Sequence, residues 1–164
     1  MDQTHTDRDA LARASAALLV QMRAARPLVQ VITNFVSMDI AANVLLAAGA
    51  APAMVHAPEE TPDFVRKAAA LVINTGTLSA PAAQAMDVAT AAARTHGVPW
   101  VLDPVGAGGT PFRDATIASL LRRRPQVIRG NASEIMAVAR IAGLTQAAGA
   151  PRGPESTHET DEVA

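Results

Sequence analysis

Polar side chains recur at the ends of four apolar runs, where a parallel sheet would bring them to one edge. They are Asn34 after the first run, Asn74 at the end of the third, Asp103 after the fourth and Arg129 at the end of the fifth. In open α/β sheets, ligands bind beyond the carboxyl ends of the strands. Each residue alone is an ordinary turn or cap residue. Their recurrence at four strand ends is what predicts a binding site.

Arg129 and Asp103 have the side chains that phosphate and magnesium chemistry requires. A charged group at the end of an apolar strand needs a partner or a ligand, and a guanidinium suits phosphate oxygens. The alternative for Arg129 is an ion pair with a nearby carboxylate. A carboxylate at Asp103 could hold Mg²⁺ through water, which magnesium prefers to keep.

Residues 103–110 form a glycine-rich loop, DPVGAGGT, between a buried strand and a helix. Glycines let backbone amides approach an anion closely, and the N-terminus of the following helix adds a positive dipole. The loop matches neither the Walker A pattern nor the dinucleotide-binding fingerprint. Spacing alone is therefore a weak indication of phosphate binding.

The segment NASE, from Asn131 to Glu134, admits two interpretations that are compatible. Asn131 can cap a helix while Glu134, at the third helical position, reaches back to it as a variant of the capping box. The same pair, beside a phosphate site, could organise a hydrated Mg²⁺.

Five apolar runs alternate with helical patterns along the chain. The strands are predicted at residues 28–33, 53–56, 71–74, 100–102 and 127–129. Helices are predicted at 8–25, at 38–48 ending at Gly49, from a Thr61 cap, at 80–95, from a Thr110 cap to 123, and from Asn131 to 143. The runs are continuous, so both faces of the strands should be buried in a parallel sheet with helices on both sides.

The domain organisation follows from the same patterns. Residues 8–144 are predicted to form one α/β domain, after a disordered N-terminus at 1–7. Alternating glycine and proline mark residues 145–156 as a flexible loop. Residues 156–164 resemble the opening of a further helix. Two interpretations are open for this segment, namely a chain that is incomplete on its C-terminal side and a flexible charged tail. If the sheet ends after five strands, an edge that should be paired is exposed.

Composition excludes several classes of protein. The chain has 164 residues, a formal net charge of −1, no cysteine and 2% aromatic residues. The missing basic stripe and aromatic platforms argue against a nucleic-acid partner. Neither a signal peptide nor an apolar run long enough to cross a bilayer is apparent. The prediction is a cytoplasmic protein without a membrane partner.

Five segments together resemble the hydroxyethylthiazole kinases, a family of the ribokinase-like superfamily. They lie at residues 32–36, 50–54, 71–78, 103–110 and 129–135, with Asn43 in the helix after the first. The resemblance implies a ribokinase-like three-layer α/β/α fold with a mostly parallel sheet. It also implies transfer of the γ-phosphoryl group of ATP to the hydroxyl of 4-methyl-5-(2-hydroxyethyl)thiazole in thiamine biosynthesis.

The resemblance assigns roles to individual residues. Met54 would contact the thiazole, although a core methionine is normally the stronger interpretation, and Asn34 would belong to the same pocket. Arg129 and Asn131 would bind ATP. Asp103 together with Glu134 corresponds to positions linked to Mg²⁺ through water.

The resemblance also implies a homotrimer with sites at subunit boundaries, and hence an exposed apolar face. The family's glycine-rich anion hole and its alcohol-activating residue match no segment of the chain, so the catalytic residue is not identified. The resemblance therefore predicts an incomplete and inactive enzyme. Two alternatives are a ribokinase-like NAD(P)H-hydrate dehydratase using ADP or ATP, and a non-catalytic nucleotide-binding module. Binding of the thiazole would separate the kinase from the dehydratase. Nucleotide binding without turnover, even with the missing C-terminal part restored, would favour the non-catalytic module.

Overall fold

The computed structural model of the chain describes residues 3–144, with side chains from residue 8 onward. Helices and strands alternate throughout this part. The helices are α1 Gln3–Ala25, α2 Met38–Ala48, α3 Thr61–Val65, α4 Ala80–His96, α5 Pro111–Arg122 and α6 Ala132–Ile141. The strands are β1 Leu28–Ile32, β2 Ala51–Ala53, β3 Ala70–Asn74, β4 Trp100–Asp103 and β5 Val127–Ile128.

The five strands form one parallel sheet in the order β2-β1-β3-β4-β5. The prediction of a parallel sheet is confirmed. The strand order reverses between β1 and β3, which in this topology is the place where ligands bind. In register, Ile32 of β1 lies opposite Ile73 of β3, and Asn74 lies opposite Asp103. The carboxyl ends of β1, β3, β4 and β5 consequently lie side by side.

Both faces of the sheet carry helices, which confirms the three-layer α/β/α architecture. On one face, side chains of β1, β3 and β4 pack against α3, α4 and α5 around the buried cluster of Ile32, Val65, Leu71, Ile73, Ala85, Met86, Ala89, Ala93, Val98, Trp100, Leu102 and Leu120. On the other face, Val29 and Val31 pack with Met22 of α1 and Leu45 of α2. The alternation of side chains along each strand sends successive apolar residues to opposite layers.

Local sequence signals set several helix ends. Thr110 caps α5, with its hydroxyl accepting the N–H of Arg113 at 3.2 Å, and Pro111 occupies the first helical position. Gly49 ends α2 as predicted, with a φ of +102° that disfavours a side chain. A Cβ at Gly49 would also lie 2.5 Å from the Cγ of Arg23 in α1, so the glycine permits close packing of the two helices.

The second strand was predicted wrongly. It spans Ala51–Ala53 rather than residues 53–56, and it pairs with β1 alone. Proline is tolerated on such an edge strand because its missing N–H is not needed on the unpaired side, which is why Pro52 lies inside it. Beyond Ala53 the ladder is replaced by a side-chain contact, in which the N–H of Thr33 donates to Nε2 of His56 at 3.1 Å.

Three further expectations need correction. The cap of α3 is Glu60 rather than Thr61, whose buried hydroxyl donates to the carbonyl of Ala57 at 2.7 Å. The first helix is Gln3–Ala25 rather than residues 8–25. Burial of both strand faces holds for the inner strands but not for β2 and β5, because each edge strand has a neighbour on one side only.

Large apolar side chains are exposed on α1, on α2 and in the turn between β1 and α2. They are Leu11, Leu18, Val20, Phe35, Val36, Ile40, Val44 and Leu46. No helix within residues 3–144 combines the length and apolarity needed to cross a membrane. The loop and helix start predicted for residues 145–164 lie outside the described residues.

Candidate functional site

A cleft of about 530 Å³ opens at the carboxyl ends of β3, β4 and β5. Its lining residues are Asn74, Asp103, Val105, Arg129, Gly130, Asn131 and Glu134. Five residues singled out from the sequence therefore meet in one cleft, namely Asn74, Asp103, Arg129, Asn131 and Glu134. Asn34 and Met54 are not among its lining residues.

A chain of hydrogen bonds crosses the strand ends. Nδ2 of Asn34 donates to Oδ1 of Asn74 at 3.0 Å. Nδ2 of Asn74 donates in turn to Oδ2 of Asp103 at 2.8 Å, and Nη1 of Arg129 donates to the same oxygen at 2.5 Å. The polar residues at the ends of β1, β3, β4 and β5 thus form a single hydrogen-bonded network.

Arg129 forms the ion pair that was weighed as the alternative to a ligand contact. Its side chain is 75% exposed, whereas that of Asp103 is 11% exposed. A guanidinium carries five N–H donors, and only Nη1 is used in this pair. The ion pair and a phosphate contact are therefore compatible, because Asp103 can hold one side of the guanidinium while the other faces solvent.

Asn131 and Glu134 form the predicted capping box at the start of α6. Oδ1 of Asn131 accepts the N–H of Glu134 at 2.9 Å, and Oε2 of Glu134 accepts the N–H of Asn131 at 3.0 Å. Oε1 of Glu134 also accepts the N–H of Gly106 at 3.2 Å. Glu134 is only 7% exposed. Its carboxylate thus links α6 to the glycine-rich loop.

The glycine-rich loop uses its own amides internally. Gly106 donates to Glu134, and Gly108 donates to Oδ1 of Asp114 at 2.7 Å. The amides of residues 105, 107 and 109 donate to backbone carbonyls at 3.0 Å each. In this conformation residues 105–109 present no free N–H to an anion. The loop therefore acts as a scaffold for Glu134 rather than as the anion cradle considered from its composition.

Arg113 holds the loop by hydrogen bonds that no sequence pattern predicted. Its Nη1 donates to the carbonyl of Thr75 and, at 2.9 Å, to that of Val105. Gly106 has a φ of +72°, and a Cβ there would lie 3.2 Å from Nε of Arg113. A charged residue in the first turn of a helix normally indicates a solvated surface, so no local pattern identified this contact.

Asn34 and Met54 have structural roles that account for their positions. Oδ1 of Asn34 accepts the N–H groups of Val36 and Ser37 at 3.0 and 2.9 Å, so Asn34 shapes the turn into α2. Met54 is partly buried and packs against the cluster that contains Val29 and Val31. Their thiazole-binding roles remain predictions.

The cleft offers oxygen ligands of the kind that Mg²⁺ prefers. Asp103 and Glu134 both line it. Asn74 and Arg129 share Oδ2 of Asp103, and Oδ1 receives no hydrogen bond from the described residues. Residues 3–144 contain no group of three or more metal-binding side chains. Two carboxylates without a closed cage fit a magnesium ion that keeps most of its water.

Comparison with known proteins gives consistent matches across the chain. The model of the hydroxyethylthiazole kinase family matches residues 19–163. A protein of Rhizobium johnstonii named hydroxyethylthiazole kinase is 58% identical over 123 residues, which cover 75% of this chain and 46% of that protein. A protein of the same name from Nitratidesulfovibrio vulgaris is 51% identical over 144 residues, covering 87% of this chain and 52% of that protein.

A solved structure of hydroxyethylthiazole kinase from Pyrococcus horikoshii has the same fold. It is 48% identical, with a TM-score of 0.74, over 76% of this chain and 49% of that one. The chain spans about half the length of the curated relatives it matches. These matches favour the kinase over the dehydratase alternative, and the chain belongs to the hydroxyethylthiazole kinase family.

Proposed function

We propose that this chain provides the phosphate-binding and magnesium-binding side of an enzyme that phosphorylates a thiazole alcohol. The reaction moves the γ-phosphoryl group of ATP to the hydroxyl of 4-methyl-5-(2-hydroxyethyl)thiazole, in thiamine biosynthesis or salvage. Family membership supports the reaction class. The observation that carries the proposal is the Asp103–Arg129 pair, which lies in a cleft at the carboxyl ends of parallel strands.

Arg129 binds the phosphates of ATP in this proposal. Its guanidinium is exposed, and Asp103 restrains it on one side. A planar guanidinium can donate two parallel hydrogen bonds to a phosphate, so a restrained arginine supplies both charge and orientation. Asn131, the N-cap of α6, also lines the cleft, so the positive end of the helix dipole faces the same site.

Asp103 and Glu134 hold Mg²⁺ through water. Magnesium, when bound, neutralises charge on the phosphates during transfer. Phosphoryl transfer depends on positioning and electrostatic stabilisation more than on covalent chemistry. The capping box keeps the Glu134 carboxylate in place, and the hydrogen bond from Asn74 orients that of Asp103.

Met54 and Asn34 bind the thiazole in this proposal, on the side of the sheet edge near β1. The exposed apolar side chains of α1, α2 and the intervening turn support a homotrimer with sites at subunit boundaries. Apolar patches of this kind are common at protein interfaces. Light scattering that gives the mass of a monomer at micromolar concentration would contradict the trimer.

Calorimetry and mass spectrometry together test the proposal. The 164-residue chain should bind magnesium–ATP, and Arg129→Met should weaken that binding, whereas Arg124→Met, at the opposite edge of the sheet, should not. Phosphorylation of the thiazole alcohol, followed as the added mass of the product, should appear when the chain is extended with the C-terminal half of the Nitratidesulfovibrio relative. The kinase proposal would be contradicted if the extended chain folds and binds nucleotide but gives no phosphorylated thiazole.

A further inference from the structure

Asn74 is the middle link of the hydrogen-bonded chain at the strand ends. It is the last residue of β3 and is 9% exposed. Its Nδ2 donates to Oδ2 of Asp103 at 2.8 Å, and its Oδ1 accepts Nδ2 of Asn34 at 3.0 Å and the N–H of Gly76 at 2.9 Å. This one side chain therefore spans β1, β3 and β4 at the point where the strand order reverses.

The neighbours fix the orientation of both amides. A backbone N–H can only donate, so the atom of Asn74 that faces the N–H of Gly76 is its oxygen. The amide nitrogen of Asn74 must then face Asp103. The N–H groups of Val36 and Ser37 fix the oxygen of Asn34 in the same way. Neither amide can flip without losing bonds, and each link donates toward Asp103.

The backbone closes tightly on this pair of asparagines. A Cβ at Gly76 would lie 2.7 Å from Cβ of Asn34 and 3.0 Å from Oδ1 of Asn74. At a distance under 3.0 Å from this Cβ, the neighbouring atoms would have to move. The two amides are therefore held by packing as well as by hydrogen bonds.

We propose that Asn74 is a positioning residue that couples the thiazole-binding end of the site, at Asn34, to the phosphate-binding and magnesium-binding end, at Asp103 and Arg129. Two donors on Oδ2 of Asp103 set the rotation of that carboxylate, while the bond from Asn34 sets the turn into α2. The assignment of the two ends rests on the proposed function, whereas the positioning itself does not.

The main test is the substitution Asn74→Leu, which keeps the branching of the side chain at Cγ and removes all three hydrogen bonds. Calorimetry should find that magnesium–ATP and the thiazole alcohol each bind at least about tenfold more weakly, because buried polar partners are left unpaired. Arg129→Met should weaken the binding of magnesium–ATP alone. A folded Asn74→Leu variant that binds either ligand as the wild-type chain does would overturn the coupling.

A control separates loss of stability from loss of position. Thr90 is buried in α4, and its hydroxyl donates to the carbonyl of Met86 at 2.8 Å. Thr90→Val removes a buried hydrogen bond far along the helix from the strand ends. This variant should lower the melting temperature without weakening the binding of either ligand. Equal weakening in both variants would attribute the effect of Asn74 to stability and overturn the proposal.

Asn34→Ala is a second variant, which breaks the same chain from its other end. It removes the Nδ2 donor to Oδ1 of Asn74 and leaves Asp103 and Arg129 unchanged. The coupling predicts that this variant weakens the binding of magnesium–ATP as well as that of the thiazole alcohol. An unchanged affinity for magnesium–ATP in a folded Asn34→Ala variant would contradict the proposal.

A measurement without ligands separates this inference from the proposed function. In nuclear magnetic resonance spectra of the 164-residue chain, Asn74→Leu should shift both the side-chain amide signals of Asn34 and the guanidinium signals of Arg129. If both shift although the wild-type chain binds neither ligand, the proposed function fails and the positioning role stands. If neither shifts, the positioning role fails whatever the chain binds.

Discussion

Two clefts at opposite edges of the same sheet differ in the side chains that line them. The cleft at the carboxyl ends of the strands is lined by Asn74, Asp103, Arg129, Asn131 and Glu134, among others. The cleft at the amino ends has a volume of about 220 Å³ and is lined by Ala93, Arg94, Gly97, Val98, Trp100, Arg123, Arg124 and Gln126. In the first, polar side chains from neighbouring strands bond to one another.

The direction of the helices explains the contrast. The N-termini of α5 and α6 lie at the carboxyl edge, where they favour negative charge, and the C-terminal ends of α4 and α5 lie at the amino edge. Cations complement a helix C-terminus, so helix stability accounts for Arg94 in the last turn of α4, and Arg123 forms an ion pair with Asp87. The amino-edge cleft thus contains cations with structural roles, whereas the carboxyl-edge cleft brings charges of both signs together.

The largest expected effect concerns the amino edge and involves stability alone. Trp100 is 2% exposed within the main core cluster. Trp100→Ala should lower the free energy of unfolding by about 3–5 kcal/mol, because it leaves a large cavity. Since Trp100 is the only tryptophan of the chain, circular dichroism should follow the denaturation. A loss below about 1 kcal/mol would mean that this edge is not a structural core. The control is Val127→Ala on the exposed edge strand, which should change the free energy of unfolding only slightly.

The second effect concerns the carboxyl edge and involves binding. Arg129→Met should weaken the binding of magnesium–ATP about 10- to 100-fold, as expected for the loss of a charge-assisted hydrogen bond. The free energy of unfolding should fall by about 1–2 kcal/mol, because the Asp103 carboxylate, which is only 11% exposed, loses its charged partner. Calorimetry and urea denaturation measure the two quantities. A large loss of stability with unchanged binding would reverse the contrast between the edges.

The third effect tests the helix that borders the cleft. Asn131→Ala should lower the free energy of unfolding by about 1 kcal/mol, since it removes the cap of α6. Asn131→Asp keeps an acceptor for the N–H of Glu134 and should retain most of the stability in urea denaturation. If the alanine variant were as stable as the wild-type chain, the capping box would not organise Glu134.

The smallest effect concerns the ion pair near the amino edge. Nη2 of Arg123 lies 2.9 Å from Oδ1 of Asp87, and both side chains are at least one-third exposed. Asp87→Asn should therefore change the free energy of unfolding by no more than about 0.5 kcal/mol and leave nucleotide binding unchanged. An effect on magnesium–ATP affinity would show that the two edges communicate.

Several features were predictable because they depend on neighbours in sequence. Thr110 and Asn131 were recognised as caps, and Gly49 as a helix end, since caps act over three or four residues. Asp103 and Arg129 were recognised as strand-end residues because the apolar runs before them are continuous. The error at β2 arose because its limits depend on pairing with β1 and on the ring of His56.

Features that depend on distant residues were not predictable. Arg113 bonds to Thr75, which is 38 residues away, and nothing near it in sequence signals that contact. The amides of the glycine-rich loop suggested an anion cradle, but Asp114 and Glu134 accept two of them. Asn74 was placed at a strand end by its position, yet its role as the central link depends on which strands flank β3.

The sequence by itself determined the alternation of strands and helices, the helix caps and the set of polar residues at strand ends, because these depend on interactions within a few residues. Only the tertiary structure decided the strand order β2-β1-β3-β4-β5 and hence that Asn34, Asn74, Asp103 and Arg129 lie in a row. The physical reason is that pairing between strands joins residues about 25 to 40 positions apart, and such pairing is set by burial of the whole sheet rather than by any local preference.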